Sequence, residues 1–105
     1  MINSTLSKEA LDFLNQCTRG TWKLNSDGRV DVIGSFSCRS MALSSFYGVK
    51  FGLVTESFDC SFNNLTSLDG APTEIIGAFY CNNNELTNLV GGPQNVHIDY
   101  HCQEN

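Results

Sequence analysis

Residues 58–72 read FDCSFNNLTSLDGAP, and residues 79–93 read FYCNNNELTNLVGGP. Superposed, the two stretches share an aromatic, a cysteine two positions on, and an asparagine three positions beyond the cysteine. Leucines follow at five and eight positions past the cysteine, glycine at ten and proline at twelve. Aromatic, any residue, cysteine is a period-2 alternation, so both side chains face inward from a short strand. The asparagine stands where that strand ends, and its amide can bond backbone groups that the bend leaves unpaired. The two leucines fold back into the interior. Glycine and proline shape the outer turn.

The pattern extends in both directions. Phe36-Ser37-Cys38 and Tyr100-His101-Cys102 repeat the strand, and Val32, Val54, Ile75 and Val96 stand six positions before the four cysteines. These aliphatic residues lead back to the next strand. The unit at 36–57 is degenerate, with Met41 in the place of asparagine, and the last unit, 100–105, runs as far as the asparagine. One turn of 21 residues cannot bury its own core, whereas stacked turns bury a continuous one. The five cysteines follow the same period, with Cys17, Cys38, Cys60, Cys81 and Cys102 separated by 21, 22, 21 and 21 residues.

The core F-x-C-x-x-N-x-L-x-x-L resembles the L-x-L-x-x-N-x-L core of leucine-rich repeats, with Phe and Cys in two leucine places. The stretch from Trp22 to Gly34, WKLNSDGRVDVIG, followed by these units, is also similar to short leucine-rich-repeat-like proteins of bacteriophages. The similarity covers roughly residues 22–105. It implies an α+β repeat fold, a short leucine-rich-repeat-like solenoid with parallel strands through Phe36–Cys38, Phe58–Cys60, Phe79–Cys81 and Tyr100–Cys102. It also implies a phage or prophage origin.

The N-terminal third reads as a cap on that solenoid. Leu6, Ala10, Phe13, Leu14 and Cys17 recur at helical spacing, Ser7 can serve as N-cap with Leu6 and Leu11 as a staple, and Gly20 is a natural stop. Residues 1–21 are therefore expected to form a capping helix. Residues 22–35 are expected to form a capping β-hairpin around Asn25-Ser26-Asp27-Gly28. The repeats follow at 36–57, 58–78, 79–99 and, in part, 100–105, all within a single domain.

Composition narrows the function. The chain of 105 residues has a formal net charge of −5, 41% hydrophobic and 16% charged residues. That is too apolar for intrinsic disorder. All six basic residues lie before residue 51, and seven acids with no Lys or Arg follow, so a +2 half precedes a −7 half. A direct nucleic-acid binder would need a basic face. No run of 18 apolar residues is present to span a membrane, and MINSTLSKEA has no secretory pattern.

Four cysteines invite a zinc site, but one per turn they form a line about 14 Å long rather than a tetrahedron. No metal and no cofactor is expected. Reduced thiols packed as small hydrophobes are the default for a chain without a signal peptide. Disulfides between adjacent rungs are allowed by distance and poorly directed. His101 beside Cys102 resembles a nucleophile pair, but strand alternation points the two apart, and no enzyme activity is expected.

The outward strand positions are more informative. One column runs Ser37, Asp59, Tyr80, His101; the next, Arg39, Ser61, Asn82, Gln103; beside it lie Ser40, Phe62, Asn83 and Glu104. Phe62 and Tyr80 are large aromatics where the repeat requires none, and aromatics are enriched at binding hot spots. Asp59, Phe62, Tyr80, Asn82, His101 and Glu104 are the candidate partner-binding residues. The expected partner is a protein with a basic surface. Self-association through the Tyr100–Cys102 edge, giving a homodimer, is the alternative. The phage resemblance adds an inhibitor of a host factor, such as a CRISPR or other defence effector, acting in the cytoplasm of the bacterial host cell.

Overall fold

The structure, a computed structural model, describes residues 6–105. Its elements are α1 (Lys8–Cys17), β1 (Thr18–Leu24), β2 (Val30–Ser37), β3 (Phe51–Val54), β4 (Phe58–Asp59), β5 (Glu74–Ile75), β6 (Phe79–Tyr80), β7 (Asn95–Val96) and β8 (Tyr100–His101). Together they make a β-solenoid of about three turns with one short helix and extents of 42 × 26 × 22 Å.

Helix α1 starts as its sequence dictates. The Ser7 hydroxyl accepts a hydrogen bond from the Ala10 N–H at 3.1 Å, and Ala10, Phe13, Leu14 and Cys17 are buried along one face. Residues 1–5 of the expected helical segment lie outside the described residues. The end differs from expectation. Thr18 is already extended, and its N–H closes the helix on the Leu14 carbonyl. Gly20 is not the helix stop but a strand residue paired with Gly34, both at positive φ (127° and 129°). A Cβ on either would run into a backbone carbonyl of the facing strand, Ile33 or Arg19. These glycines serve a close strand crossing.

The hairpin is longer than its expected bounds, since β1 begins at Thr18 and pairs antiparallel with β2 as far as Phe36. Its turn is organised by Asn25. The Asn25 side-chain oxygen accepts from the N–H groups of Asp27 (2.8 Å) and Arg29 (3.1 Å), and its amide donates to Asp31 at 3.1 Å. This is the self-bonding that favours Asn in turns.

Strand β2 is the template for everything that follows. Its Phe36 and Ser37 pair in parallel with β4, which pairs with β6, which pairs with β8. Its Val30 and Val32 start a second parallel column through β3, β5 and β7. The first column lies where the repeat placed it. The second contains the aliphatic residues at position −6, read from sequence only as connectors. Turns are tied by alternate backbone bonds: the N–H groups of Phe58, Cys60 and Phe62 donate to the carbonyls of Ala78, Tyr80 and Asn82 at 2.8–3.0 Å. The equivalent repeat positions are bonded in the same way one turn earlier and one turn later.

The core is a pile of rings and leucines. Phe36, Phe51, Phe58 and Phe79 are fully buried. Phe36 stacks on Phe58 at 5.2 Å, and Phe13 of α1 meets Phe36 edge-on at 5.2 Å. Leu43, Leu65, Leu68, Phe46 and Leu86 fill the opposite side. Leu89 departs from the expected inward position and is 49% exposed. Its equivalents Phe46 and Leu68 are covered by a following turn, and among the described residues none lies over Leu89.

Candidate binding face

The surface column is set by what happens just after each strand. Ser40, Phe62, Asn83 and Glu104 all take the left-handed conformation, with φ of 58°, 58°, 59° and 60°. This one residue per turn swings the chain out of the strand. The asparagine that follows holds the bend. Asn63 accepts from the N–H groups of Met41 and Leu43 and donates to the carbonyls of Cys38, Cys60 and Ser61, all within 3.2 Å. One turn on, Asn84 accepts from the Leu65 N–H and donates to the Cys60, Cys81 and Asn82 carbonyls, and Asn105 makes all five equivalent bonds two turns on. The expectation that the repeat asparagine would satisfy the bend's backbone is met bond by bond.

Left-handed φ is unfavourable for L-residues by roughly 1–2 kcal/mol, and Asn tolerates it better than most. Phe62 is the bulky exception in the column. It is 44% exposed, so its ring gains little from the core. Its neighbour across the turn is Arg39, whose guanidinium carbon lies 4.6 Å from the ring centroid. Replacing Phe62 by Asn relieves the backbone and loses an exposed cation–π contact of about 0.5–1 kcal/mol. Phe62→Asn is therefore expected to keep or raise the urea unfolding midpoint, by up to about 1 kcal/mol of stability.

The remaining candidates lie around this pair. Asp59, Tyr80 and His101 occupy equivalent places on β4, β6 and β8. Asp59 is fixed by the Ser61 N–H, which donates to its Oδ1 at 2.9 Å, and its Oδ2 lies 3.7 Å from Arg39 Nη1. The Tyr80 and His101 rings stack at 4.9 Å with 6° between their planes, and His101 Nε2 is 3.3 Å from Asp99. Asn82 accepts from the Ser61 hydroxyl at 3.3 Å, and Glu104 is exposed at the left-handed position of the last turn. One member of the expected surface columns is corrected: Ser61 is fully buried, because its side chain turns along the ladder toward Asn82. Arg39 is the residue that the sequence reading placed in a column without assigning it a role. The signal was there, since Arg39 and Phe62 are 23 residues apart, one repeat plus one position. The Tyr100–His101 edge pairs with β6 on one side only among the described residues.

Behind the face runs the cysteine line, and here the expectation of four reduced thiols is corrected. Cys81 and Cys102 form a disulfide between adjacent turns, their Cα atoms 4.7 Å apart. Parallel in-register strands bring inward Cα atoms to that spacing, inside the roughly 4.4–6.8 Å that a disulfide spans. Cys17, Cys38 and Cys60 are free and buried. Burial pushes the Cys38 and Cys60 thiols far above their ordinary value, with the neighbouring thiols and Asp59 adding to the effect at Cys38 and Asp59 at Cys60. Burial also raises Cys17. In the unfolded chain these thiols ionise near pH 9, whereas in the folded chain they stay protonated. Their contribution is thus fully present below about pH 9 and declines as pH rises further. The urea midpoint is expected to be flat between pH 7 and 8 and to fall above pH 9. Cys38→Ala and Cys60→Ala variants are each expected to show a shallower fall, and an unchanged slope in both would contradict this origin.

Among the described residues no three His, Cys, Asp or Glu side chains are grouped to hold a metal ion, and no helix is long and apolar enough to cross a membrane. Comparison of the chain with protein-family models, with curated proteins and with solved structures finds no match.

Proposed function

We propose that this chain is a non-catalytic protein-binding module that docks a basic partner on the strand face formed by Asp59, Phe62, Tyr80, Asn82, His101 and Glu104. The observation that carries this reading is Phe62, a large aromatic exposed in a left-handed backbone position that costs folding energy. Tyr80 and His101, stacked on each other on the next two turns, add an aromatic pair to the same strand column as Asp59. Seven acids without Lys or Arg after residue 50 supply the charge for a basic partner.

In this reading the units are leucine-rich-repeat-like, and α1 with the β1–β2 hairpin closes the first turn of the solenoid. Phe13 against Phe36 supports that closure. The similarity of the repeats to bacteriophage proteins extends the proposal to a phage or prophage inhibitor of a host factor, with CRISPR or other defence effectors as the target class and the bacterial cytoplasm as the place of action.

The test compares proteins retained from bacterial lysate by the immobilised chain and by an Asp59→Lys, Phe62→Ala, Tyr80→Ala variant. Retention that disappears in the variant supports the face. A partner recovered equally by both contradicts it.

A further inference from the structure

Arg39 does not belong to the repeat pattern, and its side chain lies across two turns. Its guanidinium sits over the Phe62 ring at 4.6 Å and faces Asp59 Oδ2 at 3.7 Å. That separation is a charge pair without a direct hydrogen bond. The Arg39 side chain is 54% exposed, against 23% for Asp59. The carboxylate is the rigid member, because its other oxygen is held by the Ser61 N–H. The cradle of one aromatic face and one fixed carboxylate is thus built into the turns, and the cation resting in it is loosely held.

We propose that the Phe62–Asp59 cradle is a recognition site for an arginine side chain of the partner, and that Arg39 is an internal stand-in which the partner's arginine displaces. The proposal rests on the binding-face reading above and names the chemistry that this face recognises. A guanidinium is planar and weakly hydrated, so it can lie flat on the ring while its edge meets the carboxylate. A lysine ammonium meets the same charge but cannot stack. The acids Asp99, paired with His101 of β8, and Glu104 lie two turns on from Asp59 and favour an arginine flanked by further basic residues.

A displaceable stand-in has a signature that a structural contact lacks: removing it strengthens binding. The probe is the peptide acetyl-(Gly-Arg)3-amide, with acetyl-(Gly-Lys)3-amide for comparison, titrated into the folded protein and followed by NMR at Asp59, Phe62 and Tyr80. Saturable shifts are expected with the arginine peptide, at an affinity at least about 3-fold above that of the lysine peptide. Arg39→Ala is expected to tighten arginine-peptide binding about 3-fold or more. Lys23→Ala, which makes the same charge change on the exposed hairpin, is expected to change it less than about 1.5-fold. Phe62→Ala is expected to weaken it about 5-fold or more. The same spectra report whether each variant is folded, and all substituted side chains are exposed.

Equal affinity for the two peptides, shifts spread over all acidic residues, or Arg39→Ala that binds no better than Lys23→Ala would each overturn the proposal. If the arginine peptide does not bind while the triple variant still loses its protein partner, the binding face stands and the arginine site is wrong. If the triple variant also retains the partner, both fail.

Discussion

Asn63→Ala is expected to destabilise the protein by about 3–5 kcal/mol, enough to consume a large part of a stability of roughly 5–15 kcal/mol. Asn63 is 6% exposed, and its amide serves two backbone N–H groups and three carbonyls drawn from two adjacent turns. Alanine removes all of these partners at once, and each buried polar group left unpaired costs roughly 1–3 kcal/mol unless water reaches it. Asn105→Ala removes the equivalent bonds where the side chain is exposed, and about 1 kcal/mol is expected there. Asn63→Asp keeps the two acceptor bonds but turns a carboxylate oxygen toward three carbonyls. It should be at least as damaging at pH 7 and partly recover as pH falls and the carboxyl protonates. Urea unfolding of the three variants checks the order, and equal losses at Asn63 and Asn105 would contradict the role given to burial.

Phe58→Ala carries the second large effect, about 3–5 kcal/mol. The ring is fully buried at the middle of the pile and meets Phe36, Phe46, Phe51 and Phe79, with centroids 5.0–6.0 Å away. These neighbours come from the units on either side, 36–57 and 79–99, and from two strand columns, so no single shift can close the cavity. Tyr100 holds the same repeat position but is 39% exposed and meets only Phe79 among the rings. Tyr100→Ala is expected to cost about 1–2 kcal/mol. A thermal or denaturant midpoint that drops equally for the two would mean that the repeat position, and not its enclosure, sets the energy.

The contrast between these residues and Phe62 explains why so much of the architecture was legible. Inward positions answer to the geometry of stacking, which is the same on every turn. Phe, Cys, Asn, Leu and Gly therefore recur at fixed offsets, and the first strand column follows from them. The column through Val54, Ile75 and Val96 was not legible as strand. Each of β5 and β7 is two residues long, too short for alternation to register, and they exist only because β2 offers its first half as a template. The helix end was misplaced because Gly20 has a use that sequence spacing does not show, the crossing opposite Gly34. The Cys81–Cys102 bond fits the rung spacing that the repeat shows, but it also depends on side-chain directions that the repeat does not show.

The candidate site was legible for the complementary reason. Outward positions are free of the repeat's demands, so an aromatic there stands out against its column. Phe62 and Tyr80 were visible in this way, and Asp59 came with them. Arg39 was not, because its importance depends on which residue of the next turn lies beside it. A one-residue offset between turns puts its guanidinium on Phe62 and not on Ser61. Pair contacts of this kind require the register of the solenoid, which the two-residue strands and the asparagine bonds fix together.

On the proposed function, Phe62 is kept for recognition and not for folding. A single preparation of Phe62→Asn decides this through two quantities, the urea unfolding midpoint and the retention of the protein partner. The expected result is a midpoint equal to or above that of the unsubstituted chain together with loss of the partner. A lowered midpoint with the partner still retained would mean that the ring serves the fold.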